Sequence, residues 1–145
     1  MKQIMEATEA KILCGGEFLQ KRVENILVGA MESYHALSYF APHSLMIVPG
    51  DREDIFLAVV ATKRVLGSNY EASGIILTGG FLPHTLRLME ECSFAILSSK
   101  DDTYTTANKV HERRVKIRAT DEDKVREAAR LAKTYLNIDE IMSQI

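Results

Sequence analysis

Two corners of this chain carry residues of the types and spacing that hold an anion: Gly50-Asp51-Arg52, following Pro49, and Thr78-Gly79-Gly80. A guanidinium offers paired N–H donors to a phosphate or carboxylate. Two glycines free to adopt positive φ can aim successive backbone N–H groups at one point, forming an anion-binding nest, and Thr78 adds a hydroxyl. The same residues also have plainer uses. Asp51, standing before a helix, can accept from that helix's free amides, and a tight strand-to-helix turn needs glycine on steric grounds alone. Arg52 is harder to place, because a cation in a first helical turn opposes the positive end of the macrodipole. It requires a negative partner, either an anion in the cleft or a carboxylate such as Glu53. A third corner, Ser98-Ser99-Lys100-Asp101-Asp102-Thr103 with Thr105 and Thr106, is rich in hydroxyls and carboxylates. These suit a polar site and a helix cap equally.

The elements around these corners are legible. Leu45 to Val48 and Ile75 to Thr78 are apolar runs without alternation, as expected of strands covered on both faces in a parallel sheet. Asp51 is read as the cap of a long helix with Asp54 in its third position. Ile55, Ala58, Val59, Thr62, Val65 and Leu66 keep the helical period, and Gly67 stops it. Further strands are expected at Lys11 to Cys14, Ile26 to Met31 and Phe94 to Leu97. Short helices are expected after an N-cap at Ser33, from Pro83 to near Cys92, and from Thr103 to about Glu112. Val115 to Arg118 alternates and is read as an edge strand. Thr120, with Asp123 three residues on, opens a last helix whose buried stripe is Val125, Ala128, Ala129, Ala132, Tyr135 and Leu136. Strand and helix alternate throughout, the pattern of a mostly parallel sheet with helices on its faces.

At 145 residues the chain suits one domain spanning 1–145, with residues 1–10 as a lead-in. A net charge of −2, from 18 basic and 20 acidic residues, gives no general pull toward nucleic acid or anionic membrane. The basic set Lys109, Arg113, Arg114, Lys116 and Arg118 lacks interleaved aromatics and reads as a solvated edge. The longest apolar run, Ile55 to Ala61, is far short of the ~20 residues of a membrane span. Cys14 and Cys92, both beside apolar sequence, read as thiols in a reducing compartment, so the expected address is cytoplasmic. No P-loop, dinucleotide fingerprint, metalloprotease, C-x-x-C or G-x-S-x-G signature is present. His35, His43, His84 and His111 lack metal-ligand spacing. No cofactor, metal or catalytic constellation is expected.

Pro49-Gly50-Asp51-Arg52 followed by Thr78-Gly79-Gly80 resembles the DRTGG domain, named for those five letters. The likeness runs from about Lys11 to the C-terminus. It includes Val23-Glu24-Asn25-Ile26-Leu27-Val28-Gly29-Ala30-Met31, Asp102-Thr103-Tyr104-Thr105-Thr106-Ala107 and Tyr135-Leu136-Asn137-Ile138-Asp139. These segments particularly resemble the version in the middle of long phosphate acetyltransferases. The resemblance implies a three-layer α/β/α fold similar to the HPr kinase/phosphorylase N-terminal domain. It also implies a tendency to form a homodimer and a regulatory role, with a nucleotide or other small anionic ligand; a similar domain sits between nucleotide-binding CBS modules in regulated pyrophosphatases. It does not imply acetyltransferase activity, because the acetyltransferase and P-loop domains of those longer chains are absent from this sequence. A structural dimerisation or scaffold role, or an accessory role in acetyl-phosphate and coenzyme A metabolism, remains the alternative.

Overall fold

The computed structural model describes residues 1–88, 93–115 and 122–135. They fall into two compact units, Met1–Arg113 and Arg114–Ile145. The first holds a five-stranded sheet with strands β1 (Lys11–Cys14), β2 (Asn25–Val28), β3 (Ser44–Pro49), β4 (Gly74–Thr78) and β5 (Ala95–Ser98). Their order is β1-β5-β4-β3-β2. β2 to β5 are parallel to their neighbours, and β1 joins β5 antiparallel at one edge.

The apolar runs do what their lack of alternation predicts. Leu45 and Ile47 of β3, Ile76 of β4 and Leu97 of β5 face one layer, made by α1 (Lys2–Thr8), a 3-10 helix at Gly16–Gln20 and α4 (Thr103–Val115). Met46 and Val48 of β3, Ile75 and Leu77 of β4 and Ile96 of β5 face the other. That layer contains α2 (Ser33–Ser38), α3 (Glu53–Val65) and a 3-10 helix at His84–Leu88. Each of these side chains is at most 1% exposed, and full burial of one such side chain is worth roughly 1.5–3 kcal/mol. The result is the expected three-layer α/β/α sandwich.

Topology decides which layer each helix joins. The chain steps from β2 through β5 without reversing, so right-handed crossovers place α2, α3 and the His84–Leu88 helix on one face. Among the described residues no parallel strand follows β5, and α4 covers the opposite face, with Ala107 and Val110 against the sheet. The chain therefore leaves the adjacent strands β4 and β5 toward opposite layers. That divergence puts a topological switch point at their C-terminal ends, where sheets of this type place ligands.

Several boundaries differ from expectation. Residues 1–10, read as a lead-in, contain α1, whose Ile4 and Met5 pack against the core. β2 ends at Val28, and Gly29 turns away with its amide on the Ile47 carbonyl at 2.8 Å. α2 is preceded by Glu32, with Ser33 already helical. α3 starts at Glu53 with Arg52 at its cap position, so Asp51 does not cap it and Asp54 is its second residue. Val115 ends α4 and begins no strand. Cys14 is disulfide-bonded, against the expectation of a thiol. Cys92, residues 116–118 of the expected edge strand, the expected cap Thr120, Leu136 and the C-terminal residues lie outside the described residues.

The second unit is described by the last two residues of α4 and by α5 (Glu122–Tyr135). Its expected stripe is not buried: Ala128 and Ala132 are half-buried, whereas Val125, Ala129 and Tyr135 are exposed. Among the described residues of this unit there is no second element to cover that face.

Candidate functional site

The register of β3 and β4 brings the two sequence corners together. Pro49 lies opposite Thr78, and the Gly50 amide continues the ladder to the Thr78 carbonyl at 3.0 Å. Gly50 must lack a Cβ, because one built there would overlap the Phe81 carbonyl. The loop after β4 thus crosses directly over the end of β3. Gly79 and Gly80 have φ of 78° and 73°, the left-handed region that glycine enters without steric cost.

Their amides, however, are not free. Gly79 N–H donates to the Asp101 carbonyl at 2.8 Å and Gly80 N–H to the Ser99 carbonyl at 3.0 Å. The anion nest expected from these glycines is closed in this conformation, because the diverging loops use its donors to tie themselves together. The Thr78 hydroxyl is also committed. It lies 2.7 Å from Thr103 Oγ1 and 3.3 Å from the Val48 carbonyl.

Arg52 has found a carboxylate. Its Nε donates to Asp54 Oδ1 and its Nη2 to Asp54 Oδ2, both at 2.9 Å, and Nη2 also reaches the Met31 carbonyl at 3.0 Å. This side-chain pairing raises the Arg52 pKa and lowers that of Asp54. It also explains a cation at a helix start, since Asp54 cancels its charge against the dipole. The pair is about one-third exposed on the arginine side, so it remains accessible to a competing anion. Asp51 is exposed beside it, with its side chain taking no capping bond.

The third corner is largely a helix cap. Asp102 Oδ1 accepts from the Thr105 amide at 2.9 Å and Oδ2 from the Thr105 hydroxyl at 2.6 Å, which lowers the Asp102 pKa. Ser99 is buried, its Oγ accepting from the Asp101 amide and the Thr106 hydroxyl. Lys109 reaches Asp101 at 2.6 Å. All eight candidate residues, Gly50, Asp51, Arg52, Thr78, Gly79, Gly80, Asp102 and Thr103, therefore stand along one sheet edge; Gly50 and Thr103 bond to Thr78, while Arg52, Gly79, Gly80 and Asp102 are held by neighbours outside the set.

Three residues whose places here the sequence did not reveal complete the edge: Glu53, expected only as a partner for Arg52, Phe81 and Tyr104. The Glu53 carboxylate accepts from the amides of His84 and Thr85, capping the 3-10 helix of the next crossover. A helix-start glutamate is a common dipole partner, so its sequence position gave no hint of this distant use. Phe81 packs its ring on Gly79 yet is 62% exposed, and Tyr104 on the first turn of α4 is 77% exposed. Among the described residues no group of three or more His, Cys, Asp or Glu is placed to hold a metal. No described helix is long and apolar enough to cross a membrane.

A small three-layer α/β module with its signature residues gathered at the C-terminal edge of a parallel sheet is what the fold and site define. The chain belongs to the DRTGG domain family, whose model matches residues 3–113. It is similar to phosphate acetyltransferase of Nitratidesulfovibrio vulgaris, at 32% identity over all of this chain and 21% of that protein. The Synechocystis sp. phosphate acetyltransferase is 28% identical over the same shares. The chain thus spans about a fifth of the length of these relatives. Among solved structures it resembles the CBS and DRTGG domains of the regulatory region of Clostridium perfringens pyrophosphatase, complexed with its activator diadenosine tetraphosphate. The TM-score is 0.60 at 17% identity, covering 78% of this chain and 46% of that one.

Proposed function

We propose that this chain is a non-catalytic regulatory module that senses a nucleotide or other phosphorylated metabolite at the C-terminal edge of β3, β4 and β5. The observation that carries the reading is the meeting of three strand-end corners where the loops of β4 and β5 diverge, with the Arg52–Asp54 pair half-open beside exposed Asp51 and Phe81. A phosphate would compete with Asp54 for the Arg52 fork, and the exposed Phe81 ring offers a face on which a base can stack. Gly50, Thr78, Gly79, Gly80, Asp102 and Thr103 would hold the loops that carry these groups. Supporting this, the pyrophosphatase region that shares the fold is regulatory and was solved with a nucleotide activator. We further take the module to act as a homodimer; the disulfide at Cys14 removes the thiol ground for a cytoplasmic address.

The test is a melting-temperature screen with AMP, ATP, dinucleoside polyphosphates, acetyl phosphate and coenzyme A. A ligand at ~100 times its dissociation constant stabilises the fold by roughly 2.7 kcal/mol, a rise of several degrees for a chain of this size. The rise should vanish in Arg52→Ala. No rise with any of these ligands at millimolar concentration would overturn the reading.

A second reading, a scaffold or dimerisation domain, is favoured by one specific observation. The amides of Gly79 and Gly80 and the carboxylate of Asp102 are already consumed in holding the corner together. It expects a dimer by light scattering and Arg52→Ala without a ligand phenotype. A monomer at micromolar concentration would exclude it.

A further inference from the structure

At the opposite edge of the sheet, the loops entering β2, β3 and β4 surround a concavity of about 630 Å³. Its walls come from Lys21-Arg22 before β2, Pro42-His43 before β3, and Asn69 and Ala72 before β4. None of these residues belongs to the corners described above. We infer that this concavity is a binding site for a small organic anion, a phosphate or carboxylate on a compact apolar body, held by Arg22 and His43.

The walls are fixed before any ligand arrives. The Lys21 carbonyl accepts from the N-terminal amine of Met1 at 3.0 Å, and the Arg22 carbonyl accepts from the Ser73 hydroxyl. The His43 carbonyl accepts from the Glu24 amide at 3.0 Å, and Asn25 Nδ2 donates to the Pro42 carbonyl at 3.0 Å. His43 itself has φ of 58°, left-handed backbone outside glycine. Such conformations are uncommon and gather at binding sites, where the surroundings over-determine them. A site with preset walls loses less entropy on binding.

Charge selects the ligand. Lys21 Nζ is fully engaged, 2.9 Å from Glu71 Oε2, 2.7 Å from the Ser93 carbonyl and over the Phe18 ring. Lys21 thereby offsets the acidic wall residue Glu71. Among the described residues Arg22 pairs with Glu24 through Nε at 3.5 Å, and its side chain is 83% exposed, so its terminal nitrogens face solvent. The His43 ring and the Asn69 amide enter none of the described hydrogen bonds. The lining side chains set two cations, Lys21 and Arg22, against one anion, Glu71, with donors from His43 and Asn69, while Pro42 and Ala72 supply apolar wall. That combination fits an anionic head with a compact apolar remainder better than a free polyanion.

The test uses the full chain labelled for amide NMR and titrated with inorganic phosphate, phenyl phosphate and butyrate. The amides of Arg22, His43, Asn69 and Ala72 should shift saturably, with phenyl phosphate binding more tightly than inorganic phosphate. The double variant Arg22→Gln/His43→Asn keeps a residue tolerant of the left-handed backbone. It should melt like the parent yet bind about tenfold or more weakly, as expected for loss of charge-assisted bonds. Absence of saturable shifts at these amides would overturn the inference, and so would undiminished binding by the double variant. Because Gly50 and Gly79 lie at the other edge, shifts confined to them would refute this site while supporting the one proposed there.

Discussion

Thr78 Oγ1 and Thr103 Oγ1 lie 2.7 Å apart, joining the last residue of β4 to the first residue of α4 across the point where the two loops diverge. Thr78 is almost fully buried, so its hydroxyl depends on protein partners. Thr78→Val should cost about 1–2 kcal/mol. The double variant with Thr103→Val should cost less than the sum of the singles, by roughly 0.5 kcal/mol or more. Urea unfolding of the four proteins measures this, and strict additivity would show that the two hydroxyls act independently.

The glycines of the corners should rank by what a Cβ would meet. Gly50→Ala drives a methyl into the Phe81 backbone, an overpacking without relief that should cost about 3 kcal/mol or more. Gly80→Ala meets nothing within 4 Å but must hold φ of 73°, for about 1–2 kcal/mol. Thermal melts of the two variants check the order; a milder Gly50→Ala would mean that Phe81 does not press on the end of β3.

The Arg52–Asp54 pair gives a pH signature. Pairing lowers the Asp54 pKa in the folded state, so its contribution is complete above the unfolded value of about 3.9. It is lost as pH falls through the folded value. Because the pair is partly exposed, Asp54→Asn should cost no more than about 1 kcal/mol at neutral pH. That difference should close in strong acid and shrink in high salt. Arg52→Ala should cost more than Asp54→Asn, since it also leaves the Met31 carbonyl without its donor. Equal costs for the two variants across the pH range would contradict this assignment.

Glu53 should prove to be a cap acting between elements. Glu53→Ala strips the acceptor from the His84 and Thr85 amides and should cost about 1 kcal/mol, the usual value of a lost cap. Hydrogen exchange at these two amides should quicken while the Ile75 to Leu77 amides stay protected. Unchanged exchange at His84 and Thr85 would exclude the role.

Much of this was legible in the residues. The unbroken apolar runs at Leu45 to Val48 and Ile75 to Leu77 require cover on both faces, and that requirement alone implies a parallel sheet between helical layers. The helical spacing from Ile55 onward and the glycine after it placed α3 to within two residues. The residues around Asp102 suit a polar site and a helix cap equally, and the carboxylate caps the start of α4 through Thr105. Residues 1–10 misled because their few apolar positions, Ile4 and Met5, acquire meaning only against a sheet face that the rest of the chain builds.

The sequence by itself determined that Arg52 needs a negative partner, because a helix start penalises a lone cation whatever the fold. It also determined that Gly50, Gly79 and Gly80 mark positions where a side chain cannot sit easily. Only the tertiary structure decided which partner and which obstacle. Asp54 takes Arg52 because the helix begins one turn-residue later than its caps suggest. The Gly79 and Gly80 amides turn to the β5 loop because the chain leaves β4 and β5 toward opposite layers, and that gap needs tying. Hydrogen-bond partners across strands depend on sheet order, which local residue types do not encode.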